Sequence, residues 1–187
     1  MNPPPPTAEA SPSQVRRPGV TPPSRRGGSG RRLDDVIVDL GFADRPTMDG
    51  AVAEAQRTGS SPERVLLQAG RIDEDQLSRA VAERFGLDHL DLQHYRLDPD
   101  AAKLVTPAAI KRYQAIPVAF VNDRTLLVAM ADPANVLAVD DIAVMTGYEV
   151  RPAVAAAPSI AWALERLDEI AAGVAVVDPG AVPAVRS

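Results

Sequence analysis

Apolar residues between positions 32 and 86 recur at helical spacing, and the pattern predicts four short helices. Leu33, Val36, Ile37 and Leu40 share one face of the first, which Gly41 closes. Asp44 and Pro46 open the second, with Met48, Val52 and Ala55 on its face. Ser61 and Pro62 open the third. There the Ser hydroxyl is expected to cap free amides, Val65, Leu66 and Ala69 face inward, and Gly70 ends the helix. Asp73 to Gln76 has the form of a capping box, and Leu77, Ala80, Val81 and Phe85 make a stripe before Gly86. Together these helices make a small bundle.

From Leu87 the period changes. His89 to Leu92 reads as a short strand, and Asp98-Pro99 and Thr106-Pro107 each start a brief helix anchored by Leu104 and Ile110. Ile116 to Val121 and Thr125 to Met130 are β-rich runs around Asn122-Asp123-Arg124, a hairpin signal. Asn135 caps a helix carrying Val136, Val139, Ile142, Val144 and Met145, which Gly147 ends. Tyr148 to Ala155 is a further strand, and Ser159 caps a last helix with Ile160, Leu164 and Leu167 inward. The fold class expected is α+β, a four-helix N-terminal subdomain followed by a small sheet covered by helices.

The two halves of the helical region repeat. Gly41 and Gly70 stand 29 residues apart, and at that offset Ile37-Val38 matches Leu66-Leu67, Met48 matches Leu77 and Val52 matches Val81. A duplicated helical hairpin related by approximate symmetry follows, with the apolar matches serving its own core.

Composition divides the rest. Residues 1–31 hold eight of the 18 Pro and the run Gly27-Gly28-Ser29-Gly30, and cannot offset the entropy of ordering, so a disordered tail is expected there. Residues 173–187, broken by Pro179, Gly180 and Pro183, read as a flexible tail, leaving 32–87 as the helical repeat and 88–172 as the α+β part. The first 32 residues carry six Arg against Glu9, a balance of +5, so the net charge of −5 leaves −10 on residues 33–187. An acidic body argues against a nucleic-acid-binding fold, which needs a basic face for phosphates. No apolar run approaches the roughly 18 residues of a membrane span, no signal peptide is evident, and there is no Cys; a cytoplasmic protein is expected.

At the repeat the sequence resembles a known family, the MshEN domain found at the N-terminus of type II secretion and type IV pilus assembly ATPases. The family's repeat runs Arg-Leu-Gly, two residues, two aliphatics, two residues, Gly, then a helix with Leu at four-residue spacing and a Gln near its end. The similarity continues through Ala82-Glu83-Arg84-Phe85-Gly86-Leu87, Ala115-Ile116-Pro117-Val118, Val128 to Pro133 and Asp140-Asp141, so it covers about residues 32–170. Membership implies a module that binds cyclic di-GMP in some members, through the Arg-Leu-Gly starts, and in others docks the ATPase onto an inner-membrane platform or regulator. By that resemblance a nucleotide would meet Arg32, Leu33, Ile37, Gly41, Arg64, Leu66, Gly70 and Arg84, the last standing where the second repeat has lost its Gln.

The departures fall on the anion-contacting residues. The first copy reads Arg32-Leu33-Asp34 and the second Ser61-Pro62-Glu63, so carboxylates replace the Gly of both starts. At ~4 Å and an effective dielectric of about 20, each carboxylate opposing a phosphate costs up to roughly 4 kcal/mol, about three decades of affinity. Pro62 also removes an amide donor. No cofactor is therefore expected. Nor is catalysis: there is no Gly-x4-Gly-Lys-Ser/Thr phosphate loop, and neither Lys103 nor Lys111 follows a glycine loop. His89 and His94, with Asp88 and Asp91 nearby, lack the spacing of a metal site and read as surface histidines.

The reading that results is a non-catalytic docking or regulatory module whose partner is a secretion or pilus ATPase or an inner-membrane platform protein. Two alternatives stand beside it: a cyclic di-GMP receptor with a degenerate motif, and a remnant of a chain that once continued into an ATPase domain.

Overall fold

Two acids start the helices that follow each turn of the repeat. The Asp44 carboxylate accepts the Thr47 amide at 2.8 Å and opens α2 (Arg45–Thr58); the Asp73 carboxylate accepts the Gln76 amide at 2.7 Å and opens α4 (Glu74–Phe85). Gln76 returns the bond to the Asp73 amide at 3.1 Å, completing the expected capping box. The preceding helices, α1 (Leu33–Asp39) and α3 (Pro62–Gln68), end alike. The amides of Gly41 and Phe42 donate to Val38 and Ile37, and those of Gly70 and Arg71 donate to Leu67 and Leu66. This paired closure needs a left-handed residue, supplied by Gly41 at φ +74° and Gly70 at φ +63°.

The packing has the same symmetry: α1 lies on α4 and α2 on α3, the exchange that a pseudo-twofold relating the two hairpins demands. Ile37 and Leu66 are each 1% exposed at equivalent positions of a core shared with Val36, Met48, Ala51, Ile72 and Ala80.

The structure, a computed structural model, describes residues 17–26, 28, 30–167 and 169. It also holds a five-stranded mixed sheet, in the order β1 (Val20–Thr21), β2 (His89–Leu90), β5 (Glu149–Val154), β4 (Thr125–Met130), β3 (Ala115–Asn122). The expected hairpin is β3 (Ala115–Asn122) against β4 (Thr125–Met130), antiparallel. A crossover through α7 (Val136–Thr146) brings β5 (Glu149–Val154) parallel to β4, with Thr125 beside Glu149 and Met130 beside Val154. On its other side β5 runs parallel to β2 (His89–Leu90), and β2 pairs antiparallel with β1 (Val20–Thr21) at the edge. Short helices α5 (Pro99–Ala102) and α6 (Pro107–Tyr113) and the final α8 (Ala157–Glu165) pack on β3. The fold is α+β, with its larger core around Ile116, Val118, Leu126, Met130, Ile142 and Ile160. Helix α4 touches both cores, meeting α1 on one side and β2 and β5 on the other.

Several expectations are corrected. Ser61 and Ser159 make no cap: Ser61 has no side-chain capping bond, and α8 begins two residues before Ser159, at Ala157. Ala69 is exposed, because the helix has already turned toward Gly70. Leu104 is 38% exposed while its neighbour Val105 is buried. On α7 the inward residues are Ala138 and Ile142, whereas Val136, Val144 and Met145 point outward.

Residues before 17 and the expected tail 173–187 lie outside the described residues. Within the stretch expected to be disordered, however, Val20 and Thr21 form β1. The cause is tertiary and needs no local propensity. The Asp91 amide donates to the Gly19 carbonyl at 2.8 Å, the Ser24 amide donates to Glu83 at 2.8 Å, and Arg26 meets Asp88 at 3.2 Å. Gly19 is required, since at φ +74° a Cβ would stand 2.5 Å from the Tyr95 nitrogen.

Candidate binding site

The repeat starts are where a ligand was expected. Arg32 is the N-terminal flanking residue of α1, in extended conformation, and its guanidinium turns back onto Asp34. Its Nε lies 3.1 Å from both carboxylate oxygens, and a third contact, from a terminal nitrogen, is 2.9 Å. That hydrogen bond holds the Asp34 carboxyl below the usual carboxylate range and raises the Arg32 guanidinium. The Asp34 carboxylate therefore occupies the arginine that the resemblance assigns to an anion. Arg31 is likewise paired with Asp39, and Arg45 with Asp35 at 3.0 Å.

The other expected residues are scattered among different tasks. Leu33 is half-buried against the helical core, and Ile37 and Leu66 are inside it. Around Gly41 and Gly70 an added Cβ meets nothing within 4 Å, so it is the left-handed backbone of the helix stop, and no neighbouring atom, that calls for glycine at both. Arg64 is exposed on α3, and Arg84 lies over the Phe85 ring at 5.5 Å.

The described clefts lie elsewhere. A cleft of about 570 Å³ is lined by Arg17, Tyr95, Arg96, Leu97 and Ala119 among others, and an adjoining one of about 280 Å³ shares Arg17, Tyr95 and Ala119 and adds Leu127 and Arg151. A third, about 310 Å³, opens between α1 and the N-terminal strap, lined by Arg31, Val36, Asp39, Leu40, Ser24 and Glu83. None of the eight expected residues lines these three. Burial pushes the Tyr95 hydroxyl above its ordinary value.

His89, expected at the surface, is 3% exposed at the seam of α4 and β2. His94 is the exposed one, with Nδ1 2.6 Å from Asp91. Spacing alone could not separate the two; the packing of α4 on β2, with the Ser78 hydroxyl 2.8 Å from its Nε2, encloses His89.

A duplicated helical hairpin seated against a mixed five-stranded sheet defines a small α+β module of a known kind. Residues 85–174, just under half of the chain, match the MshEN domain. The duplicated helices lie on the N-terminal side of the match. Over 135 residues the chain is 31% identical to the type IV pilus assembly ATPase PilB of Myxococcus xanthus (strain DK1622), covering 72% of this chain and 24% of that protein. Over 115 residues it is 32% identical to the PilB of Thermus thermophilus, covering 61% of this chain and 13% of that one. The chain thus spans a quarter or less of these relatives. Among solved structures it is similar to MshE with cdg, at TM-score 0.61 and 25% identity, covering 73% of this chain and 99% of that one. The N-terminal domain of XpsE shares the fold, at TM-score 0.51 and 22% identity over 73% of this chain and 96% of that one.

Proposed function

We propose that the chain is a non-catalytic docking and regulatory module of a type IV pilus or type II secretion system, acting from the cytoplasmic side on an assembly ATPase or an inner-membrane platform protein. The division into a helical unit, 32–87, and an α+β unit, 88–172, belongs to this reading. The observation that carries it is the extent of likeness to PilB, 72% of this chain against 24% of that ATPase, joined to the absence of a phosphate loop within these 187 residues. A fold is a scaffold and its sites decide its function; here the repeat keeps its packing residues while Asp34 occupies Arg32. The test is size-exclusion chromatography of the purified chain mixed with the assembly ATPase, and separately with the platform protein, of the same cell. Co-elution with one of them is the expected result; co-elution with neither overturns the reading.

A second reading, a cyclic di-GMP receptor, is favoured by the likeness to MshE with cdg. Calorimetry at low salt separates the two. Heat that vanishes in Arg32→Ala supports the receptor, and no heat at micromolar protein supports docking alone.

A further inference from the structure

Helix α7 has two apolar sides. Ala138 and Ile142 are fully buried against the sheet, and the opposite side presents Val136 at 64%, Leu137 at 75%, Val144 at 85% and Met145 at 47% exposure. These are half of the large apolar side chains exposed among the described residues, gathered on one helix. Single exposed hydrophobics need no explanation, but four on one helix face, two turns apart, have the form of a contact surface. Between the pairs, on the same outer face, stand Asp140 and Asp141. Asp141 accepts the Tyr113 hydroxyl at 2.6 Å, while Asp140 has no ion-pair partner among the described residues. The nearby Arg112 lies over the Tyr113 ring at 5.3 Å.

We infer that this face of α7 receives a basic amphipathic helix of a partner protein, with apolar residues at both ends of the contact and Lys or Arg at its middle. The inference rests on the docking reading and names the surface and the chemistry of what docks. Helix-in-groove recognition of this kind is read as apolar anchors one and two turns apart. Leu137 and Val144 are seven residues apart, roughly 10 Å along the axis.

The acids select among occupants. A second copy could lay Val136 and Leu137 on Met145 and Val144 only in antiparallel order about the helix midpoint. That arrangement sets Asp140 of each copy against Asp141 of the other, gathering four carboxylates where water is being removed. Parallel pairing opposes each acid to itself. Like charges so placed cost too much for a homodimer, whereas a cationic partner turns the same groups into attraction. The described arginines of the chain's own arm are placed elsewhere: Arg26 is engaged with Asp88, Arg31 with Asp39 and Arg32 with Asp34, while Arg17 and Arg25 line clefts beside Tyr95 and Glu83.

The test uses a fluorescein-labelled, hydrocarbon-stapled four-turn peptide with two Leu pairs two turns apart and two Lys midway, and a twin with Glu in place of Lys. Anisotropy titration against the full chain is expected to show the Lys peptide binding about tenfold or more tighter than its twin, the gap narrowing as salt rises. Leu137→Glu should weaken the Lys peptide at least about tenfold, and the double variant Asp140→Lys, Asp141→Lys should invert the preference. All of these residues are at the surface, so circular dichroism and melting verify that the variants fold. Equal affinity for both peptides, no binding of either, or no inversion overturns the inference. So does sedimentation showing a dimer that Leu137→Glu dissolves, which would identify a second copy as the occupant. If Leu137→Glu leaves co-elution with the ATPase or platform protein intact, the α7 inference falls and the docking reading stands. If the wild type co-elutes with neither yet the charge inversion holds, the surface stands and the proposed partners fall.

Discussion

His89 and Ser78 meet across the seam between the helical repeat and the sheet, imidazole Nε2 2.8 Å from the hydroxyl oxygen. Ser78 spends its own proton on the Asp75 carbonyl at 2.8 Å, so its oxygen accepts and His89 donates from Nε2. His89 thus carries a proton on Nε2, and burial lowers its affinity for a second one on the other ring nitrogen, against the opposing pull of Asp75 at 3.4 Å. Arg79 adds to the lowering and Asp91 opposes it.

That pair gives the chain a pH-dependent stability. In the unfolded chain His89 protonates near its ordinary value of 6.5, and in the fold it protonates only at lower pH. The unfolded state therefore binds more protons between the two values, and stability falls as pH drops from about 7 through that window. Urea midpoints taken between pH 7.5 and 5.5 should decline in the wild type. In His89→Phe, whose lower baseline is compared only with itself, the slope should flatten. An unchanged slope refutes the assignment.

The symmetry of the repeat makes an energetic prediction. Ile37→Ala and Leu66→Ala remove equivalent fully buried side chains and should each cost about 2–5 kcal/mol in chemical denaturation. Leu40→Ala, one turn along at 36% exposure, should cost well under half as much. A large difference between Ile37→Ala and Leu66→Ala would mean that the two hairpins do not share one core.

The strap carrying β1 depends on a single backbone conformation. Gly19→Ala places a methyl into the Tyr95 backbone and should free β1 from the sheet edge. Hydrogen exchange at the Asp91 amide, which donates to Gly19, should accelerate markedly, while Ile116 and Val128 amides in the β3–β4 hairpin, at the far side of the sheet, keep their protection. Unaltered exchange at Asp91 argues against a docked strap.

Arg32 and Asp34 predict a spectroscopic result. In the fold the Asp34 carboxyl titrates below the ordinary carboxylate range, so its contribution to stability is present at neutral pH and lost as pH falls through the lowered value. Carbon-detected NMR should show that low midpoint, and Arg32→Ala should return it toward the ordinary value near 3.8. Asp34→Gly should leave Arg32 unpaired and, if the family's chemistry is latent, increase any heat seen with cyclic di-GMP.

Much of this architecture was legible from local chemistry. Asp44, Asp73, Asp98, Thr106 and Asn135 cap helices as their positions suggest, since a cap is a bond between a side chain and an amide two or three residues away. Gly41 and Gly70 end helices for an equally local reason, their positive φ. The candidate site was less legible. Ile37 and Leu66 have both the apolar spacing of a core and a place in the repeat motif, and in the fold each is 1% exposed.

What the order of residues determined by itself is therefore most of the elements and their ends, and the duplication at a 29-residue offset, all consequences of interactions within a turn or two of chain. Tertiary structure decided the rest: that a proline- and arginine-rich stretch contributes an edge strand, that His89 is buried while His94 is not, and that α7 turns Leu137 and Val144 to solvent. Each depends on which surface another element covers. Burial is a property of pairs of distant segments, and no local pattern of polar and apolar residues contains it.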